Sequence, residues 1–230
     1  MTATRELGTV GVLGGTGPQG RGLARRWAAA GLDVVLGSRE ESRASDVAAT
    51  LVDPPDDTTA ASLRGSVRGA SNEECAATAD IVVVAVPYEG MADLLEGLAD
   101  TLAGSLVVSC VNPLGFDARG AHALDVPEGS AAQQAASLLQ ESAVVAAFHH
   151  VSAVLLDDPT VGAVDCDVLV LGDDRHATDT VQALADTVPG MRGVYAGRLR
   201  NAGQVAAPTA NLISVNRRSR AHAGNRVTDV

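Results

Sequence analysis

The chain is 230 residues long, 46% hydrophobic and 2% aromatic, with a formal charge of −11. That acidity excludes nucleic acid and anionic membrane surfaces as partners, since both require clustered positive charge. All 17 basic residues are arginine, which removes chemistries that need a lysine: the Schiff base, the phosphate-loop amine and the Tyr-Lys pair of short-chain dehydrogenases.

The N-terminal segment carries charge ahead of an apolar run that glycines soon break, so neither a signal peptide nor a membrane span is expected. Short apolar runs then alternate with Ala-rich stretches. Strands are predicted at 9–14 and 33–38, with helices near 18–30 and 40–51, in the alternation of βαβ units. The polar segment 52–66 reads as a loop whose prolines stop the helix. A short helix over "ECAATAD" follows, with a strand at 81–87, a helix over "GMADLLEGLAD" and a strand at 105–113. These strands are continuous apolar runs, as expected for a parallel sheet covered on both faces.

Residues 113–129 lack any period and read as a long loop, before a helix near 130–140 and a strand at 143–148. The last third gives a strand at 166–174, a helix near 176–187, a short strand around "GVYAG" and a final helix from about 200 to 217. That helix places Ala202, Val205, Ala206, Thr209, Leu212 and Ile213 on one stripe. The expected fold is α/β: a Rossmann-type doubly wound parallel sheet over 1–150, and a smaller C-terminal α/β subdomain over 151–230. Cys75, Cys110 and Cys166 are far apart, and are expected as buried thiols in a reducing, cytoplasmic setting.

Residues 14–20, "GGTGPQG", hold Gly15, Gly17 and Gly20 in G-x-G-x-x-G spacing between a strand and a helix. Gly15 permits the tight turn, Gly17 the approach of a pyrophosphate, and Gly20 close packing of helix on strand. Pro18 suits the first helical turn, where a missing N–H costs nothing. A dinucleotide site usually adds an acidic residue roughly 20 positions on, to hold a ribose 2′-hydroxyl. Here the second strand ends in Ser38 and Arg39, with Arg43 one turn further. A hydroxyl and two guanidiniums suit a 2′-phosphate, so NADP(H) is expected over NAD.

Taken together, the glycine loop, "GSR", "ADIVVVAVPYEG", "VVAAFHHVSA" and "AGRLRNAGQV" resemble the NADPH-dependent reductases of the 5-deazaflavin coenzyme F-420 (F420), in which a hydride passes directly between the two cofactors. The resemblance implies that Thr16, Gly17, Pro18 and Gln19 lie along the pyrophosphate and that Ser38, Arg39 and Arg43 grip the 2′-phosphate. Val86, Pro87 and Tyr88 would border the ribose and nicotinamide, Asn112 and Ala153 the nicotinamide, and His149, Val151 and Ser152 the deazaflavin. The family pattern carries Trp where Tyr88 stands and Pro where Ser152 stands. The C-terminal part, 151–230, would complete the deazaflavin site, and a homodimer is expected.

His149 either contacts the deazaflavin and delivers a proton, or is a strand-end histidine satisfied by backbone or water. His122, His176 and His222 read as surface residues. Arg200 and Asn201, at the start of the final helix, are further candidates for anion contact. Arg217, Arg218 and Arg220 either complement a helix dipole or receive an anionic tail. The alternatives left open are an NADP-dependent reductase of a small carbonyl or imine, and a redox sensor that binds NADP without turnover.

Overall fold

A computed structural model describes residues 7–52 and 63–230. Most of the predicted loop 52–66 lies outside them. Strand β1 (Val10–Leu13), wholly buried, leads through the glycine loop into helix α1 (Pro18–Ala30), which ends at left-handed Gly31. β2 (Val34–Ser38), α2 (Glu41–Val52), β3 (Val67–Ser71), α3 (Asn72–Thr78) and β4 (Ile81–Val84) follow. A 3-10 turn at Tyr88–Gly90 runs into α4 (Met91–Gly97), and β5 spans Leu106–Ser109. Edge strand β3 had no signature in the sequence: it is short, polar at Arg68, and broken by Gly69, where a Cβ would lie 2.2 Å from the Ser45 nitrogen of α2.

The predicted loop 113–129 is corrected in part. It holds an antiparallel hairpin of β6 (Leu114–Asp117) and β7 (Gly120–Ala123). Both strands stand half-buried to exposed, so no alternation of apolar with polar residues marked them. α5 (Ala131–Leu138), β8 (Ala143–Ala146), an unforeseen α6 (Ala153–Asp157), β9 (Cys166–Gly172), α7 (Arg175–Asp186) and β10 (Met191–Gly197) come next. The single final helix is also corrected. It divides into a 3-10 turn at Leu199–Asn201, α8 (Ala202–Ala206) and α9 (Thr209–Ser219), because Pro208 lacks the N–H that would continue the helical ladder one turn back.

Eight strands form one sheet in the order β10-β9-β8-β5-β4-β1-β2-β3. All neighbours are parallel except β8 and β9, which pair Val145 with Gly172 and Ala146 with Leu171. Helices cover both faces. One core packs α1, α2, α6 and α7 around Trp27, Leu36 and Val83, and the other packs α3, α4, α5 and α8 around Leu13, Val82 and Met91.

Helix α1 is bound to α6 across the chain. Arg26, 8% exposed, donates to the carbonyls of Leu155, Leu156, Asp158 and Val161. Arg21 pairs with Asp157, its Nε lying 3.0 Å from each carboxylate oxygen. Gly22 makes the approach possible, since a Cβ there would fall 2.5 Å from that of Leu156. Arg26→Leu keeps most of the aliphatic packing but orphans those carbonyls. It is expected to cost about 2–4 kcal/mol, read as a lower denaturant midpoint at unchanged slope; an unaltered midpoint would refute the role given to Arg26.

Candidate functional site

At the carboxyl end of β1 the loop glycines are held by contact. A Cβ on Gly15 would strike Leu36 at 2.7 Å, and one on Gly20 would lie 2.8 Å from the Gly15 Cα. Gly17 differs: nothing lies closer to its Cβ position than the Gly14 oxygen at 3.6 Å, so this backbone is open to a ligand. Gly17 is also the N-cap of α1, with no side-chain cap, and the first turn holds no acidic residue. The first N–H groups of such a helix lack internal partners and face outward with the positive end of its dipole.

A cavity of about 440 Å³ opens beside this loop, lined by Thr16, Gly17, Ser38, Arg39, Arg43 and, from the opposite wall, Val86 and Pro87. Ser38 is buried, and its Oγ accepts from the Glu40 N–H at 3.2 Å, which fixes the turn between β2 and α2. Both arginines are exposed. Asn72, which the sequence reading missed, also lines this space and accepts from the Gly14 N–H at 3.5 Å.

A second cavity of about 330 Å³ adjoins the first, and Ala85 and Val86 line both. Its walls include Gln19, Asn112, His149, Val151, Ser152 and Ala153. Its far wall is α9, through Thr209, Leu212, Ile213 and Asn216. The floor is tightly specified. Asn112 Nδ2 donates to the His149 carbonyl at 3.0 Å, and the Thr209 hydroxyl reaches the same carbonyl and Asn112 Oδ1 at 3.3 Å each. His150 Nδ1 accepts from Asn225 Nδ2 at 2.8 Å while its Nε2 meets the Val205 carbonyl. His149 Nδ1 is buried and, among the described residues, has no partner. Phe148, just before it, is left-handed at φ 63°, packs edge-on to Trp27 at 5.6 Å, and accepts from Gln19 Nε2 at 3.3 Å.

Residues 9–113 match the family described as NADP oxidoreductase coenzyme F420-dependent. The F420-dependent NADP reductase of Methanothermobacter thermautotrophicus is 37% identical over 228 residues, 96% of this chain and 95% of its own length. The F420-dependent NADP reductase of Methanocaldococcus jannaschii is 33% identical over 90% of this chain and 92% of its own length. The chain belongs to the F420-dependent NADP reductase family. A crystal structure of an Arthrobacter sp. FB24 protein shares the fold, with a TM-score of 0.76 at 24% identity over 94% of this chain and 96% of that one.

Of the residues that the F420-dependent reductase resemblance singles out, most converge on the two cavities. Gly15 and Pro18 line neither cavity: Gly15 is buried behind the loop, and Pro18 is exposed at the first position of α1. Tyr88 is half-buried in the turn after Pro87, packed on the second core. Arg200 and Asn201 are not brought to either cavity; their turn packs against α5, β8 and β9. Thr209, Leu212 and Ile213 were visible as an apolar stripe, but nothing in the sequence showed that it faced a cavity rather than core. His122, His176 and His222 are exposed.

Burial pushes the His149 imidazole down to about 3, with His150 adding to the shift, so the ring is neutral at pH 7. Burial also lowers His150. The unfolded chain takes up these protons near the ordinary value of 6.5 and the folded chain resists them. The native state therefore keeps its full stability above that pH and loses it as pH falls towards the folded value. Denaturation between pH 7.5 and 5 is expected to show a steeper loss for wild type than for His149→Gln; equal slopes would remove His149 from this account.

Proposed function

We propose that this chain transfers a hydride between NADP(H) and coenzyme F420, held in the two adjoining cavities. The observation that carries this is the shared wall at Ala85 and Val86, which joins a guanidinium-lined space at the β2 end to an apolar, histidine-floored space at the β5 and β8 ends. In this reading Gly15, Thr16, Gly17, Pro18 and Gln19 cradle the pyrophosphate, through open backbone at Gly17 and the uncapped end of α1. Ser38, Arg39 and Arg43 take the 2′-phosphate. Val86, Pro87 and Tyr88 border the ribose and nicotinamide, Asn112 and Ala153 approach the nicotinamide, and His149, Val151 and Ser152 face the deazaflavin. Residues 1–150 would then form the NADP-binding part, and 151–230 would complete the deazaflavin site.

Once bound, the two cofactors supply the hydride chemistry between themselves. What the chain adds is proximity and exclusion of water, through a floor whose backbone is fixed by Asn112, Thr209 and Gln19. The unpartnered Nδ1 of His149 is available to hydrogen-bond a ligand. As a neutral ring it serves as a hydrogen-bonding group rather than an imidazolium acid. Arg200 and Asn201 line neither cavity. The buried free thiols suit a reducing cytoplasm. The outer edge of β10, unpaired among the described residues and bearing exposed Tyr195, offers a second copy a surface for a homodimer.

With NADPH, the protein is expected to bleach the visible absorbance of oxidised F420, and with NADH far more slowly. Arg39→Ala is expected to raise the KM for NADPH about 10–100-fold while leaving that for NADH nearly unchanged. Tight NADPH binding without bleaching would move the assignment to a small carbonyl or imine substrate, or to a sensor. Equal loss with both nucleotides would remove Arg39 from 2′-phosphate recognition.

A further inference from the structure

The cleft carries cations at both ends, and the reading above uses only one. In a chain of net charge −11, most guanidiniums away from the cleft already face a carboxylate, among them Arg21, Arg68, Arg175, Arg192 and Arg198. Arg26 is spent on backbone carbonyls. Among the described residues no carboxylate pairs with Arg39 or Arg43 at one end, nor with Arg217, Arg218 or Arg220 at the other.

The second cluster continues the wall of the His149 cavity. Helix α9 presents Thr209, Leu212, Ile213 and Asn216 to that cavity. Four residues beyond Ile213, on the same face, stands Arg217, and Arg220 follows just past the last helical residue. The chain then doubles back. Arg220 is left-handed at φ 52°, ψ 45°, the Ala221 N–H bonds the Asn216 carbonyl at 3.2 Å, and the Ala223 N–H bonds Asn216 Oδ1 at 2.6 Å. That return makes Ala223 a lining residue again, so Arg220 is flanked along the chain by two residues of the wall. Glycine is the usual occupant of such a helix end, and a side chain there is strained. Three adjacent guanidiniums also exceed what a dipole of about half a charge can neutralise.

We infer that Arg217 and Arg220 form a subsite for the anionic tail of the deazaflavin, its phosphodiester and the glutamate carboxylates beyond it, with Arg218 adding to the field. The inference rests on the proposed function and supplies what it lacks, a reason for the co-substrate to enter by the α9 end. The tail then lies along the last turn of α9, opposite the end that holds the 2′-phosphate, and each anionic group has its own arginines.

The test is the double variant Arg217→Gln, Arg220→Gly, where glycine removes the cation and suits the left-handed backbone. Steady-state kinetics would use NADPH with either intact F420 or the deazaflavin ring and sugar alcohol alone, lacking phosphate and glutamates. The expected result is a KM for intact F420 raised on the order of tenfold, with the KM values for NADPH and the tail-less compound nearly unmoved. The wild-type preference for the tailed compound should also shrink with added salt. An unchanged ratio of the two KM values overturns the subsite, as does equal damage to both substrates. A wild-type protein that reduces neither compound while binding NADPH sinks the underlying function instead.

Discussion

The order β3-β2-β1-β4 is the constraint on which the rest of the cleft depends. After β3 the chain crosses to the other flank of β1, so the connections leaving the carboxyl ends of β1 and β4 diverge and open a crevice between them. The two loops bounding that crevice touch: a Cβ on Gly14 would lie 2.6 Å from Val86 Cγ1. Ala85 and Val86 can serve both cavities because they stand at this divide. Helix α1 sets the remaining geometry. Its N-terminal end borders both cavities, through Gly17 and Gln19, and its middle holds α6, whose first residue, Ala153, lines the second.

What could be read from the sequence was local. β1, β4 and β5 are apolar runs because both faces of the sheet are covered, and the glycine loop fixes where the arginine-bearing strand end must fall. Ser38, Arg39 and Arg43 do share one cavity with Thr16 and Gly17. The far side of the cleft was less legible because chain-distant contacts build it. Asn72 reaches Gly14 across 58 positions, and Thr209 reaches Asn112 across 97. Neither leaves a periodic trace. Pro208 was in plain view, yet the three-four stripe continued through it and hid the break between α8 and α9. The hairpin β6–β7 escaped because each strand is half-buried over its first two residues and exposed over its last two, without alternation.

The floor of the second cavity is rigid for identifiable reasons. Phe148 adopts a conformation that is costly for a bulky residue, and Trp27, Gln19 and the Val151 N–H hold it there. His150 is fixed on both nitrogens, by Asn225 and by the Val205 carbonyl. Asn225 is held in turn by the last residues of the tail. Its carbonyl accepts from the Asp167 N–H at 2.7 Å, and the fully buried Asp167 carboxylate binds Arg192, Arg226 and the Val227 N–H. The antiparallel turn-over at β9 makes this possible, since it carries the start of β9 past the end of β8 towards the ligand side. Such a floor fits chemistry that demands a fixed distance between two bound rings more than it demands an acid or a nucleophile.

The bond between α1 and α6 also bears on how the chain reaches its native state. The carbonyls that Arg26 binds lie 129 to 135 positions downstream. A nascent chain that has emerged only as far as β8 must therefore leave a guanidinium meant for the interior without its acceptors. Trp27 lacks part of its cover at the same moment, because Leu156 packs in the same core. The glycine loop can close early, from contacts within the first 40 residues. The part of α1 that holds α6 settles only with long-range closure, the slow step in chains of this topology. During synthesis the two ends of one helix thus mature at different times, and the interval between them is when the first half is most exposed to misassembly.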